Sequence, residues 1–321
     1  MLRSCGASFA QRTCRSDQDV IELCAHADAV LVDSAKITKV AINAMPRCRI
    51  IARNGTGYDD IDDKAAGEVG IPVTNVPDFC TEEVATHTMA LLLACHRRIL
   101  SLDREVRNGT WNNLHMLPVR RMSRTVLGLV GFGAIGRAVA VRAAGFGMKI
   151  VYYDPLYQPV QDAPAATACK SLEQLLRMAD YVSLHVPLTD ATRQMIAKDQ
   201  FELMKPSAVL INAARGSVVL ERDLVSALAQ GQIAAAGLDV LDSEPPGKDN
   251  PLLAMDNVVI SPHAAWQSDD SSAEVQRRTM EEIVRALRGQ PLHHVVNRAT
   301  LIENHYNPDY ARATQPPGNR A

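Results

Sequence analysis

The feature that most constrains the fold is an alternation of short apolar runs with amphipathic stretches between residues 125 and 288. The runs rich in Val, Ile and Leu are expected to be strands, at 125–130, 149–154, 181–185, 208–213, 235–240 and 258–261. The intervening stretches are expected to be helices, at 135–146, 172–178, 221–230 and 269–288. Continuously apolar strands separated by helices are typical of a parallel sheet covered on both faces. The sequence therefore predicts an α/β fold with a doubly wound parallel sheet.

A glycine-rich turn follows the first of these strands and opens the first helix. It has the pattern G-x-G-x-x-G and consists of Gly131, Phe132, Gly133, Ala134, Ile135 and Gly136. In this context the glycines let the backbone approach the pyrophosphate of a dinucleotide at the positive end of a helix. The alternative is a tight strand–helix turn without a ligand. The strand–turn–helix context favours a Rossmann-type sheet that binds a dinucleotide.

Asp154, at the end of the next predicted strand, indicates which dinucleotide binds. A carboxylate at this point can accept hydrogen bonds from the ribose hydroxyls, and it repels the additional phosphate of NADP. The residues that follow, Pro155, Leu156 and Tyr157, include no arginine that could bind that phosphate. The sequence therefore predicts NAD as the cofactor.

Three polar residues, Arg215, Glu244 and His263, follow three downstream strands. In an open parallel sheet, ligands bind beyond the carboxyl ends of the strands. Arginine binds carboxylates, histidine exchanges a proton near neutral pH, and glutamate can orient the imidazole and stabilise its protonated form. Taken singly, the three are equally compatible with a loop arginine, a turn carboxylate and a hydrogen-bonded strand-end histidine. Their joint position after the dinucleotide turn favours a catalytic crevice.

Composition argues against several other classes of protein. The net charge is -2 and aromatic residues make up 4% of the chain, so a surface for nucleic acid is not expected. No uncharged apolar run reaches the ~18 residues of a membrane span, and residues 1–9 lack a secretory pattern. The seven cysteines contain no C-x-x-C pair, so no zinc site or other metal site is expected. Their odd number predicts reduced thiols and a cytoplasmic protein.

These motifs give the chain a resemblance to a known family. From about Gly6 to Asn297 the sequence resembles the D-isomer-specific 2-hydroxyacid dehydrogenases. The segments that carry the resemblance are 53–62, 75–77, 131–136, 212–216, 239–245 and 262–263. Two further segments, 138–143 and 263–266, look most like the C-terminal-binding-protein subgroup, which includes transcriptional corepressors together with related dehydrogenases.

The resemblance implies a role for each matched position. Arg215 would bind the substrate carboxylate and carbonyl, His263 would be the general acid and base, and Glu244 would be its partner. The NAD contacts would come from the glycine turn, Thr56, Asp154, Pro187, Ala213, Arg215, Asp239 and His263, with Asp239 holding the nicotinamide carboxamide. The loop of Arg53, Asn54 and Gly55 would offer backbone N–H groups and a cation to the substrate carboxylate.

The resemblance also implies that one domain is inserted into another. Residues 1–98 and 291–303 would form a smaller, flavodoxin-like α/β substrate domain, and residues 99–290 the NAD-binding domain. Residues 304–321 are expected to be a mobile tail. Only residues 1–5 precede the start of the resemblance, so the expectation is either that the start was placed too late or that the substrate domain lacks the family's first strand and helix. The resemblance further implies a homodimer through the NAD domain, with residues 108–124 as its arm.

The predicted function is the interconversion of a small 2-oxo acid and a D-2-hydroxy acid by hydride transfer with NAD. Trp266 would either wall the pocket and favour an apolar substrate side chain or pack between the domains. The alternative function is an NAD(H)-sensing interaction module with little turnover, like the corepressors. The intact trio of Arg215, Glu244 and His263 favours turnover without excluding sensing.

Overall fold

The structure is a computed structural model that describes residues 6–116 and 119–310. The described chain forms two compact units, residues 6–79 with 268–310 and residues 80–267. No helix within the described ranges is long and apolar enough to cross a bilayer.

The helices and strands are numbered in chain order. The helices are α1 (Asp17–Cys24), α2 (Lys39–Asn43), α3 (Asp63–Glu68), α4 (Thr81–Arg97), α5 (Ile99–Arg107), α6 (Ala134–Ala144), α7 (Leu172–Met178), α8 (Lys198–Leu203), α9 (Glu221–Ala229), α10 (Asp269–Arg288) and α11 (Arg298–Glu303). The strands are β1 (Val30–Val32), β2 (Ile51–Arg53), β3 (Val73–Thr74), β4 (Val126–Val130), β5 (Lys149–Tyr153), β6 (Thr167–Ala168), β7 (Tyr181–Leu184), β8 (Val209–Asn212), β9 (Ala235–Leu238) and β10 (Val258–Ile260).

The first unit is built on a parallel sheet in the order β1-β2-β3. Its short helices begin at side-chain caps. Ser16, Thr38 and Asp62 accept hydrogen bonds from backbone N–H groups in the first turns of α1, α2 and α3. Apolar residues of these helices and strands, such as Ile42 and Ile51, form the core of this unit. The long helix α10 contacts β2.

The second unit contains a seven-stranded sheet in the order β10-β9-β8-β7-β4-β5-β6, with every neighbouring pair parallel. The strand order reverses between β4 and β7, which is the point where doubly wound sheets bind ligands. The buried strands pack against α7, α8 and α9 in one core and against α4 and α6 in another. The α/β class with a Rossmann-type sheet, predicted from the sequence, is confirmed.

Helix α5 of the second unit was not expected from the sequence. α4 ends at Arg97, the next residue, Arg98, has a left-handed backbone with a φ of 50°, and α5 follows directly. A left-handed residue breaks the helical hydrogen-bond pattern and redirects the chain. The apolar residues of α5 are mainly exposed, so the pattern of a core-facing helix was missing.

The boundaries of the two units differ from those expected. We expected α4 in the substrate domain and α10 in the NAD-binding domain, with breaks after residues 98 and 290. Instead, α4 belongs to the second unit because it packs against α6, β8 and β9. Helix α10 belongs to the first unit because it contacts β2 and packs in the cluster around Ile50 and Ile283.

The expectation of a mobile tail is wrong for residues 304–310. Tyr306 packs so closely on Gly70 that a Cβ at Gly70 would lie 2.5 Å from its ring. Asp309 accepts a hydrogen bond from Arg298 at 2.6 Å, and its backbone carbonyl accepts one from Leu292 N at 2.7 Å. The polar composition that predicted mobility does not reveal these contacts. The rest of the predicted tail, 311–321, lies outside the described residues.

Arg49 closes the carboxyl end of α10 within the first unit. Its guanidinium donates hydrogen bonds to Ala286 O at 2.7 Å and Leu287 O at 3.3 Å. The last carbonyls of a helix have no partner within the helix and carry partial negative charge, so a partly buried cation stabilises them. Arg49 thereby ties α10 to the loop that precedes β2.

We predict that Arg49→Met lowers the free energy of unfolding by about 1–3 kcal/mol, because two charge-assisted hydrogen bonds are lost. Arg47→Met is the matched control, since Arg47 is 60% exposed and pairs only at the surface with Asp28. The control should change stability by less than about 0.5 kcal/mol. Urea unfolding measures both. Equal effects of the two substitutions would contradict this role of Arg49.

Candidate active site

The glycine turn joins β4 to α6 at the point where the sheet order reverses. Gly131 has a φ of 93°, and a Cβ there would lie 2.5 Å from His185 O. A Cβ on Gly136 would lie 2.5 Å from Gly131 O. Both positions therefore require glycine. Burial lowers the pKa of His185 to about 4, so this imidazole is uncharged at neutral pH.

Gly133 and Asp154 also fit the turn to a dinucleotide. A Cβ on Gly133 would meet no atom within 4 Å, so the space at the start of α6 is open to a ligand. Asp154 lies beside the turn, because its Oδ2 accepts a hydrogen bond from Phe132 N at 2.8 Å. Backbone N–H groups at the start of a helix suit a pyrophosphate, and a carboxylate beside them suits ribose hydroxyls. The arrangement agrees with NAD as the cofactor.

His263 and Glu244 form a direct pair. His263 Nδ1 lies 2.6 Å from Glu244 Oε2, and Glu244 Oε1 accepts a hydrogen bond from Leu241 N at 3.0 Å. Both side chains keep substantial exposure, 41% for His263 and 36% for Glu244. The contacts with Glu244 and Leu241 therefore fix the orientation of the pair and leave His263 accessible.

The charge of Glu244 is set by opposing effects. Burial raises its pKa, but the hydrogen bonds from His263 and Leu241 and the positive charges of His263 and Arg215 bring the pKa below its ordinary value. Glu244 is therefore a carboxylate at neutral pH. An ionised carboxylate only accepts hydrogen bonds, so His263 Nδ1 carries the proton between the two side chains. Nε2 is then the ring nitrogen that is not bonded to Glu244.

Arg215 follows β8, and a neighbouring side chain fixes its backbone. Asn212 Nδ2 donates a hydrogen bond to Arg215 O at 2.9 Å, and a Cβ on Gly216 would lie 1.9 Å from Leu241 O. The loop after β8 therefore touches the loop after β9 that leads to Glu244. Only glycine permits this approach, and the approach brings the Arg215 charge near Glu244.

Asp239 is buried at the end of β9 and organises the turn that carries His263. Its two carboxylate oxygens accept hydrogen bonds from Ala264 N and Ala265 N, each at 2.9 Å. Its Oδ1 also accepts a hydrogen bond from Ser261 Oγ at 2.6 Å. The carboxylate predicted from the resemblance to hold a nicotinamide carboxamide is thus already bonded to the neighbouring protein backbone.

The substrate loop predicted around residues 53–55 belongs to the first unit. Arg53 donates from Nε to Gly57 O at 2.7 Å and from Nη1 to Val32 O and Asp33 O. Asn54 Nδ2 donates to Asp33 Oδ1 at 3.1 Å. The guanidinium thus braces the loop through backbone carbonyls, a role that the sequence did not predict.

The N–H groups of Gly55 and Thr56 have no acceptor within the described residues, so they remain available to an anion. Thr56 Oγ1 itself donates to Val76 O at 3.0 Å. In the second unit, Pro187 is exposed after β7, Ala213 follows β8 directly, and Trp266 is partly buried beyond Ala265.

Sequence reasoning missed two residues of the site, His87 and Ser261. His87 Nε2 lies 2.7 Å from Ser261 Oγ, which in turn bonds to Asp239. Ser261 adjoins the Pro-His motif, and this position was the available signal. Nothing in the sequence connects His87 on α4 with a strand end so far along the chain.

The chain matches the family model of the D-isomer specific 2-hydroxyacid dehydrogenase NAD binding domain over residues 89–265. It is 43% identical over 262 residues to a glyoxylate reductase of Korarchaeum cryptofilum, and the match covers 80% of this chain and 79% of the relative.

Two solved structures are also similar to this chain. The TT0316 protein from Thermus thermophilus has a TM-score of 0.84 and 34% identity, covering 92% of this chain and 94% of its own. The D-lactate dehydrogenase from Aquifex aeolicus, complexed with NAD and lactic acid, has a TM-score of 0.79 and 30% identity, covering 84% and 85%. The chain therefore belongs to the D-isomer-specific 2-hydroxyacid dehydrogenase family and carries the NAD-binding domain of that family.

Proposed function

We propose that the protein reduces a small 2-oxo acid to the D-2-hydroxy acid with NADH and catalyses the reverse reaction with NAD. The observation that carries the proposal is the pair of His263 and Glu244, which is held near Arg215 at the ends of neighbouring strands. The arrangement combines a proton donor with a carboxylate-binding cation, and both are needed for a charged 2-oxo acid. Bound NADH would supply the hydride.

The geometry of the pair supports a specific proton path. Because Nδ1 of His263 is bonded to the Glu244 carboxylate, Nε2 would face the substrate and give a proton to the carbonyl oxygen. After that transfer the neutral ring keeps its proton at Nδ1, where Glu244 accepts the hydrogen bond. In the reverse direction Nε2 takes the proton of the hydroxyl group.

Arg215 would bind the substrate carboxylate and polarise the carbonyl. Its fork of N–H donors matches a carboxylate in geometry and charge. Within the first unit, the N–H groups of Gly55 and Thr56 suit a carboxylate by themselves, and Arg53 keeps their loop in shape. We further propose that Trp266 limits the size of the substrate side chain.

A steady-state screen with NADH tests the proposed function. Glyoxylate comes first, because the similar Korarchaeum cryptofilum protein is a glyoxylate reductase. Hydroxypyruvate, pyruvate, and branched and aromatic 2-oxo acids follow. Turnover of at least one of these acids supports the proposal. Tight NADH binding without turnover of any acid would instead favour the NAD(H)-sensing module, and a cytoplasmic location is compatible with either.

We predict that His263→Gln lowers kcat by about 10²-fold or more, the usual scale for the loss of general acid and base catalysis. The affinity for NADH, measured by fluorescence titration, should stay close to that of the wild type. His293→Gln is the control, because His293 is an exposed histidine of the first unit. Wild-type turnover in His263→Gln would refute the assignment.

We predict that Glu244→Gln lowers kcat for reduction about tenfold or more, because the charge-assisted hydrogen bond that orients the His263 imidazole is weakened. The pKa of Glu244 lies below its ordinary value, so the side chain is ionised, and the neutral amide of glutamine cannot supply that charge. Glu202→Gln, on the exposed face of α8, should leave kcat unchanged. Wild-type kcat in Glu244→Gln would show that this carboxylate does not support the proton donor.

We also propose a homodimer formed through the second unit. Helix α5 exposes Ile99, Leu100 and Val106, and Trp111 beyond it is 90% exposed. An open crevice of about 1230 Å³ lies between this region and the segment around Val258. Clustered apolar exposure of this kind is typical of a surface that another protein covers. Residues 117 and 118 of the predicted arm lie outside the described residues.

Light scattering should give a mass twice that of the 35.0 kDa chain. Leu100→Lys should shift the population towards monomer, because it places a charge on the proposed contact surface. Ile302→Lys is the control, since Ile302 is exposed on α11 of the first unit. A monomer mass for the wild-type protein would refute the proposed dimer.

A further inference from the structure

His263 occupies a backbone conformation that needs support. Its φ is 52°, in the left-handed region that residues other than glycine rarely adopt. Such a residue persists where the surrounding contacts hold it, and such positions cluster at functional sites. His263 N donates to Asp239 O at 2.7 Å, so the backbone at the end of β9 supplies the first of these contacts.

The Asp239 carboxylate supplies the next contacts. It is almost fully buried, and its oxygens accept the N–H groups of Ala264 and Ala265. These are the two residues after His263, so the carboxylate closes the turn on which the imidazole is mounted. A buried carboxylate of this kind is stable only when its oxygens are fully hydrogen-bonded.

The third partner of the carboxylate defines the direction of a hydrogen-bond chain. Ser261 Oγ lies 2.6 Å from Asp239 Oδ1, and the carboxylate can only accept, so the hydroxyl proton points at Asp239. The hydroxyl has no second proton and must accept from His87 Nε2 at 2.7 Å. His87 is therefore protonated at Nε2, and this nitrogen also lies 3.4 Å from Asp239 Oδ1.

Helix α4 holds the first residue of this hydrogen-bond chain, His87, in a fixed position. The helix packs against α6, β8, β9 and β10, and it carries His87 with only 28% of the side chain exposed. The hydrogen-bond chain thus runs from His87 on a packed helix through the Ser261 hydroxyl to the Asp239 carboxylate, which closes the turn that carries His263. None of these atoms contacts Glu244 in the structure as described, so the support is separate from the pair itself.

We propose that His87 and Ser261 are positioning residues for His263. They satisfy and orient the Asp239 carboxylate, and the carboxylate holds the left-handed turn that aims His263 at the substrate. This inference rests on the proposed function for its kinetic consequence. A general acid displaced by a fraction of an ångström loses much of its rate advantage while ground-state binding is little affected.

Two disruptive and two conservative substitutions test the proposal. His87→Leu and Ser261→Ala each break the hydrogen-bond chain to Asp239, and each should lower kcat about tenfold. The KM for the 2-oxo acid should stay within about twofold, since the two residues act through the turn that carries His263 and not on the substrate itself. His87→Gln keeps an N–H donor and Ser261→Thr keeps the hydroxyl, and both should restore most of the rate.

The double variant and a control on the same helix separate positioning from loss of stability. His87→Leu with Ser261→Ala should be no slower than the slower single variant, because both residues act through one chain. His96→Leu removes another histidine of α4, whose Nδ1 bonds to Tyr181 OH. It should reduce thermal stability without the selective loss of kcat.

Backbone hydrogen exchange supplies a readout that does not depend on activity. The amides of Ala264 and Ala265 should exchange about tenfold faster in His87→Leu and Ser261→Ala than in the wild type. Unchanged exchange at these amides would overturn the positioning role, whether or not a substrate is found. Unchanged kcat in both variants of an active wild-type enzyme would overturn it as well. Failure of the wild type to reduce any 2-oxo acid, with faster exchange in the variants, would contradict only the proposed function.

Discussion

The site depends on one buried charge, the carboxylate of Asp239. It accepts hydrogen bonds from the backbone of Ala264 and Ala265 and from Ser261, and these contacts hold His263 in a left-handed conformation. The cost of burying a carboxylate is large unless every oxygen is hydrogen-bonded. The Asp239 carboxylate therefore joins the end of β9 to the turn after β10, and its burial is stable only when both of its oxygens are hydrogen-bonded.

The sequence predicted the parts of the site that obey local rules. The glycine turn and Asp154 follow β4 and β5, and Arg215, Glu244 and His263 follow β8, β9 and β10, because sheet topology brings the carboxyl ends of parallel strands to one edge. The sequence did not predict that α4 belongs to the second unit, because the apolar residues of a helix do not specify which surface the helix packs against. The contact between His87 and Ser261 depends on that packing and was not predictable from local patterns.

The two arginines that the sequence predicts to bind substrate, Arg53 and Arg215, have different roles in their own units, and composition alone does not distinguish these roles. A net charge of -2 shows no excess of positive charge over the whole chain. The hydrogen bonds from His263 and Leu241 lower the pKa of Glu244 most, and the charge of Arg215 adds to them, whereas the Arg53 guanidinium is bonded to carbonyl groups of its own loop. Two arginines that the sequence treats as equivalent cations thus divide into one that acts on the acid–base pair and one that shapes a loop.

The proposed function requires His263 Nε2 to give its proton to the carbonyl oxygen, and a single step with hydride transfer is the simplest form of this reaction. Single-turnover absorbance decay of NADH, measured with deuterium at C4 of the nicotinamide and separately in D₂O, tests this most directly. Both isotopic substitutions are expected to slow the same phase, and the solvent effect is expected to disappear in His263→Gln. A decay that is slowed by neither substitution on a substrate whose chemistry limits the rate, or a full solvent effect in His263→Gln, would contradict it.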